Sequence, residues 1–117
     1  MNIALIYGGR SGEHEISLLS ASSIARGFSK EDKVFLIAIT KKGKWYLQDD
    51  SELKRILSDE KAIFEITEKE ENLVNVIPGG KKDAFIAGGK SLNIGVVFPA
   101  LHGTYGEDGT IQGLFEM

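Results

Sequence analysis

The feature that most constrains the fold is a pair of continuous apolar runs joined by a helical pattern. Residues 3–7 are apolar throughout, and residues 33–39 are apolar after the first lysine. Continuous runs of this length indicate strands that are buried on both faces, which is typical of parallel sheets. Between them, residues 16–28 place apolar side chains at helical spacing, namely Leu18, Ala21, Ala25 and Phe28. Residues 3–39 therefore predict a right-handed β-α-β unit with parallel strands, and the serines and Arg26 mostly fill the other sides of the helix.

The remaining patterns predict shorter elements around this unit. They are a turn at residues 40–44, a strand at 45–47 that pairs back as a hairpin, strands at 73–77 and 84–87 that form a ribbon, and a buried strand at 94–98. A short helix begins at Asp49 or Asp50, and its apolar face consists of Leu53, Ile56 and Leu57. A last helix begins near Thr110. The chain is thus predicted to be one α/β domain over residues 1–117, with a mostly parallel sheet flanked by helices.

Two polar loops follow strands of this predicted sheet. Residues 8–15 read GGRSGEHE, and residues 102–109 read HGTYGEDG. Glycine permits positive φ and close approach of the backbone, so both loops can present side chains and amides to a small molecule. Ligands of open α/β sheets bind at the carboxyl ends of the strands. We expect the two strands to be neighbours, which would place both loops at one edge of the sheet.

The first loop favours a cationic or amine-bearing ligand, because Glu13 lies near the start of a predicted helix and would repel a phosphate. The alternative is that Glu13 only interacts with the helix dipole, which contributes about 0.5 kcal/mol. A metal site at His14 and His102 is disfavoured because the usual ligand spacings are absent. A serine nucleophile at Ser11 or Ser17 is disfavoured because no G-x-S-x-G motif occurs.

Composition excludes several classes of function. The formal net charge is −3, which gives no general attraction to nucleic acid or to an anionic membrane. No apolar run is long enough to span a bilayer. The chain contains no cysteine, so it has neither a disulfide framework nor a thiolate site. These features suit a cytoplasmic protein.

Three segments carry a resemblance to a known family. Residues 102–113, HGTYGEDGTIQG, resemble the N-terminal signature of D-alanine–D-alanine ligases, of the form H-G-x-x-G-E-(D or N)-G followed by an apolar-Gln-Gly run. Residues 8–17, GGRSGEHEIS, resemble the first loop of the same family. Residues 39–45, ITKKGKW, resemble the segment after its second strand. The resemblance covers essentially the whole chain, more loosely over residues 58–93.

The resemblance implies an ATP-grasp enzyme in three parts, of which this chain is similar to the N-terminal, Rossmann-like part. ATP and Mg²⁺ lie between the central and C-terminal parts, so neither is expected on this domain alone. In the family, one D-alanine is phosphorylated on its carboxylate, and the amine of a second D-alanine attacks the acyl phosphate. The resulting dipeptide is used in peptidoglycan synthesis.

The resemblance also implies roles for individual residues. Glu13 matches the family glutamate that contacts the ammonium of the first D-alanine through a hydrogen-bonded group, and it is the candidate catalytic residue. Ile16 matches an apolar position beside the substrate methyl group. His102 matches a histidine near the reacting carboxyl end, and Gly103 follows it among the candidate substrate-binding residues.

The ATP-grasp domains would lie beyond Met117, so we expect the 117-residue chain alone to be inactive. The family is commonly a homodimer through this domain, which makes self-association an expectation. A D-Ala–D-lactate or D-Ala–D-serine ligase is an alternative, because the missing domains largely choose the second substrate. A stand-alone α/β module for binding small molecules, or a domain used only for dimer contacts, is a second alternative.

Overall fold

The main sheet is built on a central strand that pairs in parallel on both sides. The computed structural model describes residues 2–9, 14–77, 80 and 84–100, with the side chains of residues 14–16 excepted. The strands are β1 (Asn2–Gly8), β2 (Lys33–Ile39), β3 (Trp45–Leu47), β4 (Val74–Val76), β5 (Phe85–Ala87), β6 (Lys90–Ser91) and β7 (Val96–Ala100). The helices are α1 (His14–Arg26) and α2 (Asp50–Ser58), and a single 3-10 turn spans Glu70–Asn72.

The strand order of the main sheet is β3-β2-β1-β7. β1 runs parallel to both β2 and β7, and Leu5 lies between Leu36 on one side and Phe98 on the other. β3 returns antiparallel to β2 as a hairpin. The predicted β-α-β unit, the hairpin and the mostly parallel sheet are therefore confirmed, and the predicted bounds of β2 and β3 agree with the structure.

β1 is buried on both faces because its side chains alternate between two apolar clusters. A second sheet of order β4-β5-β6 packs against one face, whereas α1 and α2 pack against the other. The predicted ribbon of residues 73–77 and 84–87 is confirmed as β4 and β5, and the sequence prediction missed β6. The first cluster contains Ala4, Ile6, Ile37, Ile39, Trp45, Val74, Ala84, Phe85 and Ile94. The second contains Leu5, Tyr7, Ala21, Ala25, Val34, Leu36, Ala38, Ile56, Phe64 and Ala100.

The prediction of a buried strand at residues 94–98 is wrong in its bounds and in its burial. β7 begins at Val96 and continues to Ala100. Val96 is 39% exposed and Phe98 is 42% exposed. Among the described strands, β7 lies at the edge of the main sheet, so it lacks the second neighbour that β1 has. Its apolar character alone could not distinguish an edge strand from a central one.

The helices also differ from their predicted positions. α1 covers residues 14–26 rather than 16–28, and it buries Ser17 and Ser22, which were predicted on its other sides. Asp49 occupies the N-cap position of α2 as predicted, although its side chain makes no capping hydrogen bond. Leu57 was predicted on the apolar face of α2 and is 56% exposed. Neither helix in the described part of the chain is long and apolar enough to cross a membrane.

Two polar side chains of α1 join it to α2 and to the segment after it. The Arg26 guanidinium donates to the carbonyl oxygens of Ile56, Asp59 and Ala62, at 3.2, 2.9 and 2.7 Å. These carbonyls lie at and beyond the C-terminal end of α2, where helical partners are missing and cations are favoured. The buried Ser22 hydroxyl accepts from the amide of Phe64 at 2.9 Å. The path of the chain after α2 is thus set by α1.

A bidentate ion pair fastens α2 to the same segment. The Arg55 guanidinium donates to the two carboxylate oxygens of Glu52 at 2.8 and 2.9 Å, and it also donates to the Ile63 carbonyl at 2.7 Å. Glu52 in turn accepts from the amide of Glu65 at 2.7 Å. Burial opposes the charged form of Glu52, but the hydrogen bonds from Arg55 and from the Glu65 amide outweigh it. They lower the pKa of the Glu52 carboxyl below its ordinary value of 4.5.

We expect Glu52→Gln to destabilise the chain by about 1 kcal/mol at pH 7, because the substitution removes the charge that Arg55 and the Glu65 amide stabilise. A lowered pKa in the folded state stabilises the fold above the unfolded-state pKa, and this contribution is lost as the pH falls through the folded-state pKa. Urea denaturation at pH 7 and at pH 3 measures the difference, which should shrink at the lower pH.

Glu60→Gln is the matched control, because Glu60 is exposed and forms no ion pair with any other residue that the structure describes. It should leave stability unchanged at both values of pH. A Glu52→Gln variant that is as stable as the Glu60→Gln variant at pH 7 would contradict the assigned role of the ion pair.

The Tyr7 ring stacks on Phe64 with a centroid distance of 4.8 Å and an interplanar angle of 15°. Its hydroxyl is buried and has no hydrogen-bond partner among the described residues. Burial, followed by the nearby charge of Glu52, raises the pKa of this phenol above its ordinary value. The aromatic ring therefore stabilises the core, whereas the hydroxyl is desolvated without compensation.

We expect Tyr7→Phe to raise the free energy of unfolding by up to about 1 kcal/mol, because it removes an unsatisfied buried group and keeps the stacked ring. Urea denaturation of the chain measures the change. Tyr46→Phe is the control. Unlike the Tyr7 hydroxyl, the Tyr46 hydroxyl either has a hydrogen-bond partner or is accessible to solvent. A loss of stability in Tyr7→Phe beyond that of the control would show that the hydroxyl has a partner.

Candidate substrate-binding edge of the sheet

Three parallel strands end at one edge of the main sheet. In register, Gly8 lies beside Ile39, and Tyr7 lies beside Ala100. The segments that follow β1, β2 and β7 therefore leave the sheet from neighbouring points. This confirms that the strands preceding the two polar loops are neighbours. It also places the starts of both loops at the edge where α/β sheets bind ligands.

The backbone turns sharply where β1 ends. Gly8 and Gly9 have φ values of 95° and 109°, which L-residues with a side chain rarely adopt. The amide of Gly9 donates to the carbonyl of Ile39 at 2.9 Å. The consecutive glycines therefore bring the backbone at Gly9 against the end of β2.

The Ser17 hydroxyl joins α1 to the ends of two strands. It lies in the first part of α1 and is fully buried. Its Oγ accepts from the amide of Gly8 at 2.9 Å and donates to the carbonyl of Ala100. One hydroxyl thus satisfies a donor at the end of β1 and an acceptor at the end of β7.

This arrangement gives Ser17 a structural role and argues against a nucleophilic one, since its hydroxyl is both engaged and inaccessible to substrate. Sequence reasoning missed the role. The available signal was its position on the apolar stripe of α1, four and eight residues before Ala21 and Ala25. A serine on such a stripe, close behind a Gly-Gly turn, indicates a hydroxyl that bonds to the backbone.

The candidate substrate-binding residues themselves lie mostly outside the described part of the chain. Glu13, His102 and Gly103 fall outside it, and Ile16 is described only as part of the backbone of α1. Their roles remain predictions. The structure brings together the two points that precede them, because Gly8 and Ala100 end neighbouring strands.

The turn after β2 is the third part of this edge. The Thr40 amide donates to the Lys44 carbonyl at 2.8 Å, and the Gly43 amide donates to the Thr40 carbonyl at 2.9 Å. The Thr40 hydroxyl accepts from the Lys44 amide at 3.1 Å. Gly43 has a φ of 88°, a backbone conformation that residues with a side chain rarely adopt, which explains why glycine occupies this position. The predicted turn at residues 40–44 is confirmed, and its backbone is held by three hydrogen bonds.

We expect Ser17→Ala to destabilise the chain by about 1–3 kcal/mol, because it leaves the buried amide of Gly8 and the carbonyl of Ala100 without their partner. Hydrogen exchange at Gly8 should become faster. Urea denaturation and amide exchange measure the two effects. Ser23→Ala is the control, since Ser23 lies exposed on the same helix. Equal stability of the two variants would contradict the proposed role of the Ser17 hydroxyl.

Comparison with known proteins assigns the chain to a family. Residues 2–117 match the family model described as D-ala D-ala ligase N-terminus. The chain is 56% identical over 118 residues to the D-alanine–D-alanine ligase of Treponema denticola. This match covers 100% of the chain and 32% of the Treponema denticola protein. The chain is 44% identical to the D-alanine–D-alanine ligase of Chloroherpeton thalassium, and this match covers 98% of the chain and 32% of that protein.

Solved structures agree with this fold. The VanG D-Ala:D-Ser ligase of Enterococcus faecalis matches 98% of this chain and 33% of its own, with 35% identity and a TM-score of 0.73. The D-alanine–D-alanine ligase of Coxiella burnetii matches 99% of this chain over 32% of its own length, with 29% identity and a TM-score of 0.77. The chain spans about a third of the length of these relatives. The family match over residues 2–117, together with these relatives, shows that the chain belongs to the D-Ala–D-Ala ligase N-terminus family.

Proposed function

We propose that residues 1–117 form the N-terminal, substrate-binding domain of an ATP-dependent D-alanine–D-alanine ligase. The observation that carries the proposal is the parallel pairing of β1 with β7, whose ends are joined by Ser17. Because these strands are neighbours, the segment that leads to Glu13 and the segment that leads to His102 leave the sheet from adjacent strands. Relatives that match 98–100% of the chain bear the name of this activity.

Glu13 is proposed to hold the ammonium group of the first D-alanine. It directly precedes α1, and a carboxylate is favoured at a helix start because unpaired amides leave a partial positive charge there. Ile16 is proposed to contact the substrate methyl group, and His102 and Gly103 are proposed to lie near the reacting carboxyl end. These roles follow the family resemblance, and the strand order supports them.

The proposed reaction joins two D-alanines through an acyl phosphate. The carboxylate of the first D-alanine would take the terminal phosphoryl group of ATP, and ADP would leave. The amine of the second then forms the peptide bond, and phosphate leaves. Among the described residues, no group of three or more His, Asp or Glu side chains could hold a metal ion. Following the family resemblance, ATP and Mg²⁺ are assigned to the ATP-grasp domains, and the 117 residues alone are proposed to be inactive.

A D-Ala–D-serine ligase is the second candidate. The observation that favours it is the match to the VanG D-Ala:D-Ser ligase, at 35% identity over 98% of this chain. Substrate competition on the whole enzyme separates the two activities. A role in peptidoglycan synthesis, a cytoplasmic location and a homodimer formed through this domain belong to the same proposal.

In the intact ligase, we expect Glu13→Gln to lower kcat/KM for D-alanine by about 10- to 100-fold, since it removes a charged partner of the substrate ammonium. Dipeptide formation with ATP measures the loss, and circular dichroism checks the fold. Glu31→Gln, at an exposed carboxylate after α1, is the control and should retain full activity. Unchanged turnover in a folded Glu13→Gln enzyme would refute the proposed substrate contact.

A further inference from the structure

The Ser17 hydroxyl is the point at which three elements of the fold are joined. It is fully buried, it accepts from the amide of Gly8 at 2.9 Å, and it donates to the carbonyl of Ala100. Gly8 is the last residue of β1, Ala100 is the last residue of β7, and Ser17 lies in the first turn of α1. A shift of α1 along this edge of the sheet therefore breaks a hydrogen bond to the end of one strand or of the other.

The groups that Ser17 joins lie close in sequence to residues proposed to bind substrate. α1 begins at His14, directly after Glu13, so Ser17 is about one helical turn from the position of Glu13 in the chain. Ala100 precedes His102 by two residues. A single side chain thus holds the backbone that follows Glu13 and the backbone that precedes His102.

The proposed reaction makes a demand on these two segments that a stable fold alone does not. The ammonium of the first D-alanine is proposed to pair with Glu13, and its reacting carboxyl end is proposed to lie near His102. Two ends of one small molecule are then held by two separate segments of the chain. The carboxylate is oriented for reaction only when the separation of the segments is fixed, and a misplacement of about 1 Å can lower the rate about 100-fold.

We propose that Ser17 is a positioning residue of the ligase, which acts through Glu13 and His102 without touching the substrate. Its hydroxyl sets the separation of the two segments, whereas the side chains of those segments bind D-alanine. Its complete burial separates it from any direct role in binding. This inference rests on the proposed function, because it requires Glu13 and His102 to hold the same D-alanine.

Ser22 provides the matched control for a role that is only structural. It is also a fully buried serine of α1, and its hydroxyl accepts from the amide of Phe64 at 2.9 Å and donates to the carbonyl of Leu18 at 2.8 Å. Replacing either serine with alanine removes one accepted and one donated hydrogen bond, so the two losses of stability should be similar. Of the two serines, only Ser17 has partners at the ends of β1 and β7.

The test compares Ser17→Ala with Ser22→Ala in the intact ligase. Dipeptide formation from D-alanine and ATP is measured below the unfolding temperature, and circular dichroism gives the folded fraction used to normalise the rate. We expect Ser17→Ala to lower kcat about tenfold and to change KM for D-alanine less than about threefold, because orientation rather than affinity is lost. Ser22→Ala should retain the kcat of the unmodified enzyme.

A conservative pair of variants serves if Ser17→Ala does not fold. A thiol is close in size to a hydroxyl but is a weaker donor and acceptor, so Ser17→Cys keeps the packing and weakens the two bonds. It should lower kcat by a smaller factor than Ser17→Ala, and Ser22→Cys should leave kcat unchanged.

A double variant tests whether Ser17 acts through Glu13. In an enzyme that already carries Glu13→Gln, Ser17→Ala should lower kcat by much less than tenfold, since the charged contact that it positions is gone. Equal kcat of Ser17→Ala and Ser22→Ala would overturn the proposal, and so would effects of Ser17→Ala and Glu13→Gln that simply multiply. The proposed function fails by a different result, which is unchanged turnover of Glu13→Gln.

Discussion

The structure depends on one buried hydroxyl, that of Ser17, which accepts from Gly8 and donates to Ala100. β1 ends at Gly8, whose amide is bound by the Ser17 hydroxyl rather than by a neighbouring strand. A buried amide or carbonyl without a partner is costly, and a hydroxyl is a small side chain that can serve one of each. Because Ser17 lies in α1, the same bonds position the start of that helix against the edge of the sheet.

Everything on the helical side of the sheet follows from the position of α1. Arg26 binds the carbonyls at the end of α2, and Ser22 binds the amide of Phe64. Phe64 in turn stacks on Tyr7 of the central strand, so the path of the chain returns to β1. Polar side chains therefore set the positions of the packed elements, while apolar burial supplies the larger part of the stabilisation.

The sequence predicted those parts of the fold in which periodicity and burial agree. β2 and β3 had the predicted bounds, because a continuous apolar run and a turn with glycine leave few alternatives. The bounds of β7 were wrong because Ile94 is buried in the core without belonging to the strand. Ser17 and Ser22 were misplaced because a pattern of hydrophobicity cannot show that a hydroxyl has backbone partners. For the candidate site, the sequence correctly predicted that the strands before the two loops are neighbours. The contacts of Glu13 and His102 depend on side chains outside the described residues.

The separation of core and edge supports the proposal that residues 1–117 form a domain of their own. β1 has almost no exposed side-chain surface from Ile3 to Tyr7, and both of its faces are covered by elements of the same chain. The edge is held differently, by hydrogen bonds at Gly9, Ser17 and Thr40 rather than by apolar packing. These hydrogen bonds fix the backbone at the points where the loops leave the sheet. A domain built in this way can keep a stable core while the segments at one edge of the sheet differ in sequence and in the ligand they suit.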